Sequence, residues 1–256
     1  MKQYEIAKKK VLTPEISQIS VYAPLIAAKA KAGQFIILRV DGEGERIPLT
    51  ISSAADDLVT VIYQKVGATT LALDQLNEGD CLHDFVGPLG EPTHVEGYGR
   101  VAVLGGGLGC AIALPVAKAL HEAGNQVDLI GGFKTKDIVI LEDEMGKACT
   151  DLHICTDDGT YGEKGFTTVK LKELLEKAKA EGQQYDHCIC IGPLPMMKAV
   201  ALWTTARGIE CQLSMEQRMG CGYGTCVTCV VDTVAGRSKV CSDGPVFTAQ
   251  QLGWEA

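Results

Sequence analysis

Along residues 1–97, apolar positions come in short β-branched runs: Ile16–Tyr22, Gln34–Val40, Leu49–Ser52 and Leu58–Val66. Turn residues part them at Ala32-Gly33, Asp41-Gly42-Glu43-Gly44, Ala55-Asp56-Asp57 and Glu78-Gly79-Asp80. This spacing predicts the strands of an antiparallel β-barrel, which disposes of its edges by closing, with one short helix over Thr70–Leu76. From residue 98 to 213 the period changes. The buried-strand runs Arg100–Leu104, Gln126–Ile130, Leu152–Thr156, His187–Ile191 and Ile209–Leu213 alternate with helical patterns. The helices are expected behind Leu108, Ile112, Val116, Ala119 and Leu120, and over Ile138–Met145, Val169–Ala180 and Met196–Ala206. Regular alternation predicts a parallel, doubly wound α/β domain. Pro115 lies inside the first of these helices and is expected to kink it. Residues 214–256, rich in glycine and cysteine, form a third segment.

Composition narrows the function. Hydrophobic residues make up 46% of the 256, enough for two cores, and aromatics only 5%, so those cores are aliphatic. No apolar stretch approaches the ~20 residues of a membrane span. The net charge of −8 and the lack of a basic stripe argue against nucleic acid as a partner. Lys8-Lys9-Lys10 reads as a solvated strand edge. The opening Met-Lys-Gln-Tyr-Glu has no apolar signal region, and eleven cysteines are an odd number to pair. Both suit a reducing cytoplasm.

Four of those cysteines carry the most specific pattern in the chain. Cys221, Cys226 and Cys229 follow C-x4-C-x2-C spacing, and Cys241 completes the set. That is the ligand spacing of a plant-type [2Fe–2S] centre, with Gly220, Gly222 and Gly224 freeing the loop to wrap it. Zinc is an alternative, although only Cys226/Cys229 makes a clean zinc knuckle, and two disulfides are another. The seven others, Cys81, Cys110, Cys149, Cys155, Cys188, Cys190 and Cys211, read as small buried hydrophobes.

Further candidates lie at strand ends. Gly105-Gly106-Gly107-Leu108-Gly109 ends a strand and opens a helix, where amides would face a pyrophosphate. It is not a strict G-x-G-x-x-G, because Cys110 stands in the third glycine's place, and a tight strand–helix turn would explain it equally well. Gly192-Pro193, with Met196 beyond, punctuates another strand end, where α/β folds bind ligands. Asp157 and Asp158 occupy a third; an acid there would accept ribose hydroxyls and repel a 2′-phosphate, favouring NAD over NADP. In the barrel, Arg46-Ile47-Pro48-Leu49-Thr50 puts a guanidinium, a proline and a hydroxyl at the start of a strand. Arg46 suits a phosphate and Thr50 a polar ring, while on its own the proline marks only an edge strand. His83, His94, His121, His153 and His187 show no catalytic spacing to a carboxylate and read as surface or packing residues.

Taken together, these elements resemble the ferredoxin–NADP reductase-like flavoproteins over essentially the whole length. Within them, the chain is similar to the electron-transfer subunit of class 1B dihydroorotate dehydrogenase. It is also similar to the small FAD subunit of NADH-dependent ferredoxin:NADP oxidoreductase and sulfide dehydrogenase. The resemblance implies a flavin motif at Arg46, Pro48, Leu49 and Thr50, with Arg46 at the pyrophosphate and Thr50 at the ring. A second flavin segment falls at Ile62, Tyr63 and Gln64, with phosphate binding at Thr69 and Thr70. Gly105, Gly106, Gly107 and Gly109 match the nicotinamide-dinucleotide loop, and Gly192, Pro193 and Met196 the Gly-Pro-x-x-Met signature. The cysteine that usually precedes that Gly-Pro is Ile191 here. Implied domains are a FAD-binding barrel (1–97), a NAD-binding α/β domain (98–213) and a [2Fe–2S] segment (214–256). The nicotinamide would stack on the flavin between the first two. The expected function is an electron-transfer subunit passing electrons among NAD(H), FAD and [2Fe–2S] to a separate catalytic flavoprotein, as a heterodimer or heterotetramer. Dihydroorotate dehydrogenase, in pyrimidine biosynthesis, is the expected partner, since the full set of four cysteines is typical of that side. Alternatives are a ferredoxin:NADP oxidoreductase-type complex, bifurcating or not, and a stand-alone NADH:acceptor reductase.

Overall fold

The computed structural model describes residues 1–255, which separate into two compact units. One gathers Met1–Thr93 with Glu216–Val231 and Arg237–Pro245; the other gathers His94–Met215 with Asp232–Gly236 and the residues from Val246 onward. The cysteine-rich tail, set apart as one segment by its composition, is thereby shared between the two.

The first unit is built on β1 (Ile6–Thr13), β2 (Ile16–Tyr22), β3 (Phe35–Arg39), β4 (Ile47–Ala55), β5 (Leu58–Gln64) and β6 (Asp84–Leu89). They pair antiparallel in the order β1-β2-β5-β4-β3-β6. The ring closes through the residues that precede its two outer strands. Ile6 N bonds Asp80 O at 2.8 Å, Leu82 N bonds Tyr4 O at 3.0 Å, and Glu5 bridges Cys81. Alternate residues point inward, so Ile19, Val21, Ile36, Leu38, Ile51, Val59, Val61, Tyr63 and Phe85 form one core. Two helices complete the unit, α1 (Pro24–Ala27) and α2 (Ala68–Gln75).

Two strands escape the hydrophobic pattern. β6 contains Gly87 and Pro88, and β1 carries Lys8-Lys9-Lys10. Lys9 is not a solvated edge residue: its ammonium donates to Leu76 O at 2.8 Å and lies 3.7 Å from Asp74 Oδ1. Asp74, near the end of α2, also accepts from Ser17 Oγ at 2.8 Å and from Lys65 Nζ at 3.1 Å. Burial alone would raise its pKa, but the bonds from Ser17 and Lys65 and the two ammonium charges outweigh that and lower it. The carboxylate stays ionised and ties α2 to the barrel wall.

The second unit alternates β7 (Arg100–Gly106), α3 (Gly109–Glu122), β8 (Gln126–Phe133), α4 (Glu142–Lys147), β9 (Asp151–Thr156), β10 (Glu163–Lys164), α5 (Thr167–Ala180), β11 (His187–Ile191), α6 (Leu194–Thr205) and β12 (Glu210–Ser214). The expected helix over Ile138–Met145 starts late. Lys136–Ile138 makes a single 3₁₀ turn, Leu141 takes a left-handed φ of 59°, and only then does α4 begin. The apolar run Ile138–Leu141 is rich in β-branched residues, whereas Glu142, Asp143 and Glu144 suit the positive end of a helix. Pro115 does not interrupt α3, which is helical throughout Gly109–Glu122.

The tail adds β13 (Val230–Thr233), β14 (Gly236–Lys239), α7 (Val240–Asp243) and β15 (Val246–Thr248). The large sheet runs β10-β9-β8-β7-β11-β12-β15, parallel except for β15, which pairs antiparallel with β12. Strand order reverses at β7, so its neighbour β11 returns on the other side: a topological switch point, where such folds bind ligands. Among the described residues, no helix is long and apolar enough to cross a membrane.

Candidate functional site

At the switch point two loops meet. The glycine run leaves β7, the Gly192-Pro193 turn leaves β11, and Gly105 lies in register with Ile191. A side chain on Gly109 would bring its Cβ within 2.5 Å of Ile191 O, and one on Gly106 within 2.7 Å of Met196 Sδ and 3.0 Å of Pro193 Cδ. Gly107 sits at φ 58° and donates to Gly132 O at 2.8 Å, which turns the chain into α3. The sequence motifs therefore pack tightly against one another beside the first free amides of a 14-residue helix, and of the run's four glycines Gly107 alone faces open space. Cys110, just inside that helix, is fully buried and its thiol is pushed up to about 12 by burial, so it packs rather than reacts. Replacing Gly109 by alanine forces α3 off β11 against rigid backbone. A loss of about 1–3 kcal/mol in urea unfolding is expected, with a weaker KM for NADH.

Asp157 lies exposed at the carboxyl end of β9, its amide bonded to Phe133 O at 3.0 Å. Asp158 is engaged within its own turn, where its Oδ1 accepts from Thr160 N at 3.0 Å and from Thr160 Oγ1 at 2.7 Å. Those bonds lower its pKa.

The barrel divides the flavin motif between its faces. Ile47, Leu49 and Ile51 turn toward the core, so Pro48 and Thr50 face outward. β4 pairs with β3 over Ile47–Thr50 and with β5 only from Ile51 on, so the proline lies on a locally open edge. In β5 the same alternation sends Ile62 and Gln64 outward and Tyr63 inward. The side chain of Tyr63 therefore lies in the core and that of Leu49, partly buried, packs against it. Tyr63 is wholly buried and its hydroxyl donates to Asp74 Oδ1 at 3.3 Å. Thr70 spends its hydroxyl on capping α2, accepting from Val66 N at 3.1 Å and Gly67 N at 3.0 Å. Arg46 donates to Asp84 Oδ2 and to the carbonyl of Gly220, each at 3.2 Å.

Gly220 opens the cysteine loop, which packs on the barrel. A Cβ on Gly222, at φ 84°, would lie 2.4 Å from Ile37 Cδ1 and 3.0 Å from Leu89 Cδ1. Glu91 N donates to Gly244 O at 2.7 Å, and Lys239 Nζ to Gly224 O. All eleven cysteines are free thiols, which removes the disulfide alternative. Among the described residues, no three His, Cys, Asp or Glu side chains converge as one metal ion would require. Backbone amides face two of the four sulfurs: Cys226 N donates to Cys221 Sγ at 3.4 Å and Gly224 N to Cys241 Sγ at 3.2 Å. Four cysteines on one loop, with amides aimed at the sulfurs, fit a [2Fe–2S] group, whose thiolates such bonds stabilise.

The loop also prepares its ligands. Burial works against the Cys221 thiolate, yet the amides of Cys226, Tyr223 and Thr225 and the Cys226 thiol bring its pKa down to about 6. Cys226 is lowered by the Thr228 hydroxyl and by the amides of Cys221 and Thr228. Cys241, buried against Cys229, is pushed up to about 11, even though Gly224 N donates to its sulfur at 3.2 Å. The seven remaining cysteines are buried except Cys81, which is exposed.

Sequence reasoning missed Asp84, Asp74 and Lys239, which hold the loop and α2, because single charges have no periodicity. It also missed one buried cluster. Asp128 accepts from Tyr185 Oη at 2.7 Å and Arg100 Nε at 3.2 Å, with His153 Nε2 3.5 Å away. His153 thus pairs with a carboxylate after all, one strand distant and not near in sequence. His187 is buried and stacks on Tyr98 with ring centroids 4.0 Å apart.

A parallel switch-point sheet joined in one chain to an antiparallel barrel is the architecture of the ferredoxin–NADP reductase-like class. Residues 216–253 match the family described as the iron–sulfur cluster binding domain of dihydroorotate dehydrogenase B. A Thermotoga maritima protein named as a homologue of the dihydroorotate dehydrogenase B (NAD(+)) electron transfer subunit is 38% identical, covering 98% of this chain and 88% of its own. An uncharacterised Clostridium beijerinckii protein is 41% identical over 98% and 87%. The chain belongs to the family of dihydroorotate dehydrogenase B electron-transfer subunits. A solved NADH-dependent reduced ferredoxin-NADP oxidoreductase, studied for flavin-based electron bifurcation, superposes with a TM-score of 0.88 at 35% identity, covering 99% of this chain and 91% of that one.

Proposed function

We propose that this chain is the electron-transfer subunit of a cytoplasmic oxidoreductase, binding NAD(H), FAD and a [2Fe–2S] cluster and serving a separate catalytic flavoprotein. The single observation that supports this best is the packing of the four-cysteine loop, through Arg46 and Gly222, on the same unit that carries the flavin motif. When bound, a flavin exchanges hydride with a nicotinamide and single electrons with an iron–sulfur group, which is why the three belong in one chain.

The chain's own residues do the holding. The close-packed turn of Gly105, Gly106, Gly107 and Gly109, with Gly192, Pro193 and Met196, admits the dinucleotide phosphates at Gly107, and the α3 amides bind them. Asp157 accepts the ribose hydroxyls and repels a 2′-phosphate. Pro48, Thr50, Ile62 and Gln64 receive the flavin on the outer barrel face, Thr50 offering its hydroxyl to the ring. The first turn of α2 at Thr69 and Thr70 and the remaining donors of Arg46 neutralise its phosphates. Cys221, Cys226, Cys229 and Cys241 ligate the iron. The free thiols and their burial support the cytoplasmic setting.

Dihydroorotate dehydrogenase is the partner this reading favours, supported by the complete set of four cysteines and the family match over 216–253. A ferredoxin:NADP oxidoreductase-type complex is the second reading, supported by the 0.88 superposition. Anaerobic purification of the chain from its source, with its partner, tests both. A yellow-brown complex with a larger flavoprotein that bleaches with NADH and gains an EPR signal is expected. Colourless protein, or EPR-silent protein after reduction, overturns the proposal, and dihydroorotate-dependent NAD⁺ reduction separates the two partners.

A further inference from the structure

Arg46 has two donors engaged away from any phosphate. Nε bonds the carbonyl oxygen of Gly220, the residue immediately before Cys221, and Nη1 bonds Asp84 Oδ2, each at 3.2 Å. Asp84 lies at the start of β6 and is also 2.9 Å from Arg39 Nε, so its carboxylate sits between two guanidiniums. The other holds on the loop fall later in sequence: Gly222 packs on Ile37 and Leu89, and Lys239 bonds Gly224. Before Cys221, the contact from Arg46 joins the loop to the flavin-bearing strand.

We propose that Arg46 is a positioning residue for the iron–sulfur centre. Asp84 orients the guanidinium, the guanidinium fixes the Gly220 carbonyl, and this sets Cys221 where the Cys226 amide meets its sulfur at 3.4 Å. The assignment rests on the iron–sulfur reading above and adds to it a residue that lies 175 positions before the first ligand. Groups that orient ligands without touching the metal govern its retention, and their loss costs about tenfold or more in affinity. The guanidinium also places a positive charge beside the loop, which favours the reduced, more negative form of the centre. Removing it therefore lowers the reduction potential.

The test uses the full chain, prepared anaerobically, as parent, Arg46→Ala, Arg46→Lys and Asp84→Asn. Three quantities are read: the half-life of the cluster absorption under a chelator, the potential from an EPR-monitored titration, and FAD bound per chain. In Arg46→Ala the cluster is expected to bleach about tenfold faster and to titrate at a lower potential. Arg46→Lys keeps the charge but not the planar fork, so it restores the potential and not the half-life. Asp84→Asn, a residue assigned to no cofactor, shortens the half-life with FAD content unchanged. A parent half-life and potential in Arg46→Ala overturn the proposal. If FAD is lost in that variant while the cluster is unaltered, Arg46 is a flavin ligand only. A parent chain without a cluster refutes the iron–sulfur reading itself.

Discussion

Replacing Cys226 by serine is expected to remove the iron and the iron–sulfur absorption while leaving FAD and its reduction by NADH intact. The thiol at 226 is drawn toward its ionised form by the Thr228 hydroxyl and by neighbouring amides, and the Cys226 amide donates to Cys221 Sγ at 3.4 Å. A serine hydroxyl does not ionise near neutral pH, and thiolate, not thiol, is the metal ligand. Cys221, Cys229 and Cys241 alone cannot retain a two-iron group. Iron should fall from two per chain to near zero, and electron delivery to the partner should cease. The dinucleotide turn lies in the other unit, and the outward flavin residues lie on β4 and β5, so neither depends on this sulfur. Anaerobic stopped-flow of flavin bleaching, beside iron analysis, reads both. Simultaneous loss of cluster and flavin would mean that these cysteines hold the barrel unit together and are not a separable electron outlet.

The second large effect concerns stability. Asp128 is 4% exposed in its side chain and receives hydrogen bonds from Arg100 and Tyr185. The guanidinium of Arg100 stacks 4.4 Å from the Tyr185 ring centroid, so all three groups are locked together. Asp128→Ala leaves a half-buried cation and a buried hydroxyl without their acceptor, and a loss of about 3–5 kcal/mol in denaturant unfolding at pH 7 is expected. Asp128→Asn keeps the volume but not the charge, and should cost less. Burial raises the Asp128 pKa, but the His153 ring 3.5 Å away, the hydrogen bonds from Tyr185 and Arg100 and the charge of Arg100 outweigh it and lower the value. The folded state thus binds this proton less readily than the unfolded chain, whose value is about 3.9. Its contribution is complete above about pH 4 and is lost as pH falls through the folded value. The gap between parent and Asp128→Asn should therefore narrow on acidification. A gap that stays constant down to pH 2 would contradict the assignment.

The four-cysteine set was conspicuous in the sequence because a loop wrapping a small cluster needs thiolates at short, fixed separations, and Cys221, Cys226 and Cys229 keep such separations along the chain. The glycine turn was half readable. Its residues were evident, but only the register of Gly105 with Ile191 reveals that it and Gly192-Pro193 are one site. The flavin motif was readable as a stretch and not residue by residue. Strand alternation turns Leu49 and Tyr63 toward the core while their neighbours face out, and a motif quoted as a string does not carry that alternation. Asp128 and His153 were invisible, being joined only by the pairing of β8 with β9.

The chain by itself determined the succession of strands and helices, the change of period near residue 98 and the spacing of the four cysteines. All of these are local properties, written in the spacing of apolar side chains, glycines and sulfurs over a few residues. Only the tertiary structure decided that the cysteine loop belongs with the barrel, that Arg46 reaches its Gly220 carbonyl, and that Asp74 and Asp128 are hubs. Those contacts join positions far apart in sequence, and they arise when strand pairing and closure bring together charged groups that no periodicity relates.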